Sequence, residues 1–250
     1  MSWHIADLLN GAHGSMTVEL SISLLEVLGA HGGVMITRNE LSLYSLTDIL
    51  AEQESLPKEI RDPLVAVAGW SCEFLIPGHP ELGRSGPVCP YTKPSMGKGH
   101  FWYSCPDVGA EPSDVADTVL RYLEWHQEMA TAIDERERQF LTFLIVLPAV
   151  DPDSPDALDE IQLRLKGEFV QRGIMVGQFH PRCDQPGLWN EDFRPLRSPV
   201  PLLAIRYMVP FDLPFLVGHR QHLEAYLHTF APDIPARVRT YLAELAATAA

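Results

Sequence analysis

Basic residues are scarce in this sequence. Its 250 residues include 19 Lys and Arg against 33 Asp and Glu, which gives a formal net charge of −14 at pH 7. Binding to a nucleic-acid backbone or to an anionic membrane surface is driven largely by clustered basic side chains. We therefore expect neither nucleic acid nor a membrane as a partner, and we predict a small-molecule substrate. A homodimer stays open as the assembly state.

Cysteine is scarce too, and the four cysteines lie far apart at Cys72, Cys89, Cys105 and Cys183. The sequence contains no CxxC pair, which argues against a structural zinc site built from cysteine pairs. In a reducing compartment a thiol is more often a small buried apolar side chain than a catalyst.

Long apolar runs are missing. The longest one, FLTFLIVLPAV at residues 140–150, contains Pro148 and has about half the length that a bilayer requires. The first residues, MSWHIADLLNGAHG, have no basic segment before their apolar stretch, and Asp7 interrupts that stretch. Both features argue against a membrane span and a secretory signal, so we expect a cytoplasmic protein.

Signature motifs of common enzyme classes are missing as well. The sequence has no GxGxxG after a predicted strand, no Walker loop and no GxSxG elbow, which argues against the nucleotide-binding and hydrolase classes that use them. His219 and His222 stand three residues apart on a predicted helix and form a possible ligand pair, but no HExxH is present.

Apolar periodicity predicts the regular structure of the second half of the chain. The predicted elements are a helix with Ser113 as its N-cap, a strand at 140–147, a helix at about 156–171 closed by Gly173, strands at 173–179 and 200–208, and helices at 219–230 and 234–247. The strand-helix-strand unit places its two strands parallel, as neighbours or near neighbours. The predicted fold class is α+β, with a single mixed sheet covered by helices.

The first half is less regular. Residues 1–42 contain paired glycines around an apolar stretch, and we assign them to a variable N-terminal extension of a single α+β domain at 43–250. Helical signals occur over 59–74. Residues 77–104 are rich in Gly and Pro and are predicted to form a long loop, which in a compact domain is usually functional.

Within that loop, PGHPELGRSGPVCPYTK at residues 77–93 presents Arg84 and Cys89 on a backbone stiffened by proline. Cys89 is a candidate catalytic residue. The alternative is a rigid covering loop with Cys89 buried beneath it.

A second loop follows the apolar strand at 173–179, where His180 precedes Pro181. Proline ends the strand there, and the ends of strands that open into loops are common places for functional sites. An imidazole in this position can act as a general base, a metal ligand or the axial ligand of haem iron. The arginines of this region, 182, 194, 197 and 206, would favour an anionic group nearby, or else pair with surface acids.

The segments GRSGPVCPY, VGQFHP, DFRPLRSPVPLLAIRYMVP and DLPFL resemble a family of actinobacterial proteins. More distantly, they are similar to the YqcI/YcgG family. In that family a proline-cysteine motif is followed by VG-x-HP, an asparagine, a phenylalanine, a leucine-arginine pair and an isoleucine-arginine pair. The corresponding positions here are Cys89 with Pro90, Val176 to Pro181, Asn190, Phe193, Leu196 with Arg197, and Ile205 with Arg206.

The resemblance implies a haem-dependent oxidoreductase that N-hydroxylates a small nitrogen-containing metabolite, in the biosynthesis of a natural product. His180 would be the axial ligand of the haem iron, and Arg197 and Arg206 would contact propionates or substrate, with Arg84 as a further cofactor contact. The chain departs from the family pattern by one extra residue between Gly177 and His180. It also has NED at 190–192 in place of an NPH-type segment, and Tyr207 with Met208 in place of an arginine-aspartate pair.

Three hypotheses follow from the sequence. The first is the haem monooxygenase with His180 on the iron. The second is a cofactor-free enzyme in which Cys89 is a nucleophile and His180 its base, which requires the two loops to meet in space. The third is a protein that binds a small molecule, or an accessory protein of a biosynthetic cluster, without catalysis.

Overall fold

A four-stranded mixed sheet organises the fold, and the computed structural model describes residues 35–51, 55–231 and 236–248. The strands are β1 (Ile36–Arg38), β2 (Leu41–Leu43), β3 (Phe101–Ser104), β4 (Thr142–Val146), β5 (Ile174–Phe179) and β6 (Leu202–Tyr207). The α-helices are α1 (Leu46–Ala51), α2 (Lys58–Trp70), α3 (Thr92–Gly97), α4 (Pro112–Thr131), α5 (Pro155–Gln171), α6 (Arg220–Phe230) and α7 (Ala236–Thr248). A π-helical turn, Ser71–Leu75, continues α2, and a 3₁₀ segment, Pro210–Phe215, follows β6.

The sheet has the order β3-β4-β6-β5. Strand β3 pairs with β4 in parallel, and β6 runs antiparallel to both β4 and β5. Strands β4 and β5 therefore point the same way with β6 between them, which confirms the predicted near-neighbour arrangement. The predicted α+β class is confirmed as well.

Alternation along the central strands gives the sheet two apolar faces. On one face, odd-numbered residues of β4 and β6, such as Phe143 and Ile205, are buried beneath α4 and α5. On the other face, even-numbered residues, such as Leu144 and Leu202, pack with α1, α2 and the π-helical turn. The sheet is therefore the middle of three layers.

Local sequence signals predict the ends of α4 and α5, and one of these predictions is wrong. Glu111 is the N-cap of α4 and Pro112 its first residue, where proline is preorganised for a helix. The prediction of Ser113 as N-cap is therefore wrong by two residues. Gly173 has φ of 72° and lies between α5 and β5. This left-handed conformation favours glycine and closes the helix as predicted.

Two predictions for the first half of the chain are corrected. The hairpin of β1 and β2 belongs to the core because Leu41 and Leu43 are buried against α4, so the domain begins before residue 43. Residues 1–34 lie outside the described residues. Residues 77–104 are not one long loop either, because they include α3 and β3. Strand β3 is a short aromatic segment paired in parallel with a strand some forty residues away, a contact that local sequence does not reveal.

Candidate functional site

The two loops singled out in the sequence meet in space. The amide Nδ2 of Asn190 donates to the carbonyl oxygen of Glu81 over 2.8 Å. The rings of His79 and Phe193 stack with centroids 4.9 Å apart. Each of these contacts joins the loop at 77–93 to the loop after β5, so together the loops form one wall of a site.

Gly83 allows the closest approach between these loops. Its φ of 79° lies in the left-handed region, and a Cβ added there would overlap the carbonyl oxygen of Trp189. Glycine is therefore required at this position both by its backbone conformation and by the neighbouring chain.

A row of aromatic rings leads from the loops to the sheet. The ring centroid of Phe193 lies 6.1 Å from that of Phe74, whose ring stacks on Trp70 with centroids 6.0 Å apart. Trp70 in turn contacts Phe179 of β5 edge-on, with centroids 5.7 Å apart. Aromatic pairs at such distances stabilise each other and present flat apolar surface. The row forms the apolar side of the site.

Beside this row, part of the sheet is incompletely covered. Gly177 of the edge strand β5 pairs in register with Ala204 of β6, and both are half-buried. Their neighbours on the same face, Phe179 and Arg206, are also half-buried. The residues Gly177, Phe179, Ala204 and Arg206 are called the open patch below. Its floor consists of two small residues, and among the described residues a Cβ added at Gly177 would meet only the ring of Phe179 within 4 Å.

The polar side of the open patch is an ion pair between the partly exposed Arg206 and the buried Asp212. Arg206 donates from both terminal nitrogens to the carboxylate of Asp212, over 2.7 and 2.6 Å, and also to the carbonyl oxygen of Tyr207. Asp212 is 2% exposed and further accepts from the backbone N–H of Val209. Burial lowers the pKa of the Arg206 guanidinium, but the bonds to Asp212 more than compensate, so the pKa lies above its ordinary value. The guanidinium of Arg206 is thus charged at neutral pH.

Cys89 and Tyr91 lie within electrostatic range of this ion pair. Both interact electrostatically with Arg206, and Tyr91 also interacts with Asp212. Burial raises the pKa of the Tyr91 hydroxyl, so this group is protonated at neutral pH and can donate a hydrogen bond. A thiol, a phenol and a guanidinium therefore border the open patch.

His180 lies elsewhere. Its side chain is 2% exposed, and Nε2 lies 3.2 Å from Oδ1 of Asp159, a residue of α5 that is about half exposed. Nδ1 is buried and has no hydrogen-bond partner among the described residues. Cys183, also buried, interacts electrostatically with Asp159. Burial raises the pKa of the Cys183 thiol, which keeps it protonated.

The structure separates His180 from Cys89. Asp159, the partner of His180, belongs to α5, which covers one face of the sheet, whereas Cys89 packs with the core on the other face. The hypothesis of a direct Cys89–His180 pair is therefore not supported by the geometry, although the two loops do meet. Strand alternation explains the separation, because Phe179 faces the open patch and the next residue points the opposite way.

The arrangement of His180 also does not fit an axial haem ligand. Such a ligand needs one ring nitrogen that faces the iron of a large flat macrocycle. Here Nε2 is occupied by Asp159 and Nδ1 is enclosed by protein. In the described parts of the chain, no group of three or more His, Cys, Asp or Glu side chains is placed to hold a metal ion.

The remaining predicted cofactor contacts have partners of their own. Arg197 donates to the carbonyl oxygen of Cys183 and to the carboxylate of Asp184. Arg84 donates to the carbonyl oxygens of Ser85 and Val88 within its own loop. Arg197 thus stabilises the loop near His180 and Arg84 stabilises the loop of Cys89. Of the predicted arginines, Arg206 is the one at the open patch.

Most residues of this site were not predicted from the sequence. The missed site residues are Tyr91, Gly177, Phe179, Ala204 and Asp212. A glycine and an alanine inside strand patterns were the available signal, since small residues in a strand can mark close approach of a ligand. Their pairing in register depends on β6 lying beside β5.

The chain matches the family described as Domain of unknown function (DUF6875) over residues 64–241, which is more than half of its length, and it belongs to that family. No curated protein and no solved structure matches it. None of the helices in the described ranges is long and apolar enough to cross a bilayer.

Proposed function

We propose that this protein binds a small organic molecule on the open patch. The observation that carries the proposal is the half-buried pair of Gly177, on the edge strand β5, and Ala204, on the adjacent strand β6. Small-molecule sites are concave and mostly apolar, with a few polar groups that fix orientation. The open patch has this composition, with aromatic rings on one side and Arg206, Tyr91 and Cys89 on the other.

The surrounding groups define the class of ligand. A flat apolar part would lie on the small floor beside Phe179 and the aromatic row. A polar end would reach the guanidinium of Arg206 and the hydroxyl of Tyr91. Because Asp212 already neutralises Arg206, that end need only accept hydrogen bonds and need not carry a full charge.

The fluorescent dye 1-anilinonaphthalene-8-sulfonate is a suitable probe because it combines flat rings with a polar end. We expect it to bind the wild-type chain, and we expect Ala204→Leu to weaken binding at least about tenfold, since the added side chain fills the floor. Ala110→Leu, a change at an exposed residue, is the matched control and keeps wild-type binding. Equal binding by all three proteins would refute the proposed site.

Haem-dependent oxidation of a small nitrogen-containing metabolite, which the resemblance implies, is the second candidate. The observation in its favour is that Cys89, within electrostatic range of Arg206, packs at the edge of an apolar cluster. A thiolate can ligate haem iron and a guanidinium can bind a propionate. If haem binds here, these two residues would hold it and the haem would supply the oxidative chemistry.

A haemin titration followed by absorbance tests this second candidate. We expect a Soret band that survives His180→Ala and is lost or shifted in Cys89→Ser. Loss of the band in His180→Ala but not in Cys89→Ser would indicate that His180, and not Cys89, ligates the haem iron. A wild-type protein without a Soret band would refute haem binding and leave the dye experiment as the test of the open patch.

A further inference from the structure

A cluster of basic groups lies where α5 meets the start of α6. Lys166 of α5 is half-buried, and its Nζ donates to the carbonyl oxygen of Phe215 over 2.9 Å. Within the described ranges no carboxylate forms an ion pair with it, and burial alone lowers the pKa of its ammonium group. A half-buried ammonium group usually has an anionic partner.

Two histidines stand at the start of α6, and Nε2 of His222 would lie 3.8 Å from a Cβ added at Gly167, the residue after Lys166. The rings of His219 and His222 lie 4.9 Å apart. His222 is 8% exposed, and its Nδ1 has no hydrogen-bond partner in the described part of the molecule. Burial lowers the pKa of His222, and the nearby Lys166 and His219 lower it further. Three groups that can carry positive charge are thus crowded together.

The third component is the first turn of α6. His219 is the N-cap residue, and its side chain does not cap the helix. His222 is the third residue of the helix, and side chains in a helix lean toward its N-terminus. Its ring accordingly lies beside that of His219, at the end of the helix where backbone N–H groups lack intrahelical partners. The acid closest along this helix, Glu224, is paired with Arg220.

We infer that Lys166, His222 and the N-terminus of α6 form a binding site for a small oxyanion, of the phosphate or carboxylate kind. An oxyanion accepts hydrogen bonds from an ammonium group, an imidazole and helix N–H groups at once. It would also supply the negative charge that this cluster lacks in a protein with a formal net charge of −14. The residues of this site differ from those of the open patch, and the inference is independent of the function proposed there.

Thermal unfolding of the full chain tests this site with inorganic phosphate and acetate as probes, each compared with sodium chloride at equal ionic strength. A bound anion stabilises the folded state, and we expect a rise in Tm of about 3 to 6 °C at ten times Kd. A rise with phosphate alone indicates a phosphate site, and a rise with acetate alone indicates a carboxylate site. The same Tm in all three salts would overturn the inference.

Variants assign the effect to the cluster. Lys166→Met removes the charge and should abolish the rise, whereas Lys166→Arg should retain it. Lys58→Met, at an exposed lysine paired with Asp62, is the control and should behave as wild type. If Lys166→Met does not fold, His222→Gln replaces it and should reduce the rise. An undiminished rise in the folded variants of Lys166 and His222 would overturn the assignment.

Discussion

The two faces of the sheet differ in how completely they are covered. Beneath α4 and α5 the face is closed, and residues such as Phe143, Leu203 and Ile205 are fully buried. On the other face, α1, α2 and the π-helical turn cover β3 and β4, while Gly177 and Ala204 remain half-buried. Because these strands alternate, the same β6 supplies both a closed core and an open floor.

This difference shows which polar groups each face tolerates. The closed face holds His126, fully buried, with Nε2 donating to the carbonyl oxygen of Leu141 over 3.0 Å. The open face holds a charged arginine that is partly exposed and bonded to a buried aspartate. A neutral imidazole suits the closed face, whereas a charged pair needs the partial solvent access of the open face.

Breaking the ion pair of the open face should have the largest effect on stability. Arg206→Met leaves the carboxylate of Asp212 buried without its charge partner, which we expect to lower the free energy of unfolding by about 3 to 5 kcal/mol. Urea denaturation measures the change. The matched control is Arg197→Met, since Arg197 pairs with the exposed Asp184 and should cost at most about 1 kcal/mol. Similar losses in the two variants would contradict the distinction between these pairs.

Changes of side-chain volume at two adjacent residues of β6 should affect stability differently, because the residues lie on opposite faces of the sheet. Leu203→Ala creates a cavity in the closed face and should cost about 2 to 4 kcal/mol. Ala204→Leu adds volume where the face is open and should change stability by less than about 1 kcal/mol. Urea denaturation of the two variants makes the comparison. A large loss with Ala204→Leu would mean that the floor is closed.

The closed face should make stability depend on pH through His126. Burial lowers the pKa of this imidazole from 6.5 to about 4, so the unfolded chain binds a proton in a range where the folded chain does not. The contribution is fully present above pH 6.5 and is lost as the pH falls toward 4, by up to about 3 kcal/mol. Urea denaturation between pH 7 and 4 should show a flatter dependence for His126→Gln. Parallel curves would contradict the role of His126.

Separating the two loops should lower stability less than breaking the ion pair or emptying the closed core, and it should have a clear effect on binding. Gly83→Ala strains a left-handed backbone and clashes with the carbonyl oxygen of Trp189, which we expect to cost about 1 to 2 kcal/mol. Dye binding at the open patch should weaken because the aromatic row loses its support from the loops. Gly97→Ala is the control, since a Cβ there meets nothing within 4 Å. Dye affinity equal to that of the control would show that the patch does not need the loop contact.

The sequence predicted most of the second half of the fold. Apolar periodicity gave α5, β5, β6 and both C-terminal helices to within two residues at their ends. Strand β3 was missed because its stability comes from pairing with β4 and not from a local pattern. The hairpin of β1 and β2 was assigned to the N-terminal extension because only tertiary packing shows that Leu41 and Leu43 are core residues.

The candidate site was predicted in part. Cys89 and Arg206 were named from sequence, and the structure brings them together. The prediction that His180 directly follows a strand is confirmed, since β5 ends at Phe179. The direction of its side chain, however, could not be predicted without the strand order of the sheet. Asp212 comes only six residues after Arg206, yet nothing local shows that its carboxylate is buried.

The sequence by itself determined the class of the fold, the order of its elements from α4 onward and the two loops that carry polar residues. Those properties depend on patterns of three or four residues and on proline and glycine, which act locally. Only the tertiary structure decided which side of the sheet each residue faces, because strand order and register depend on contacts between distant segments. That choice placed Cys89 with Arg206 on the open face and enclosed His180 with Asp159 on the other.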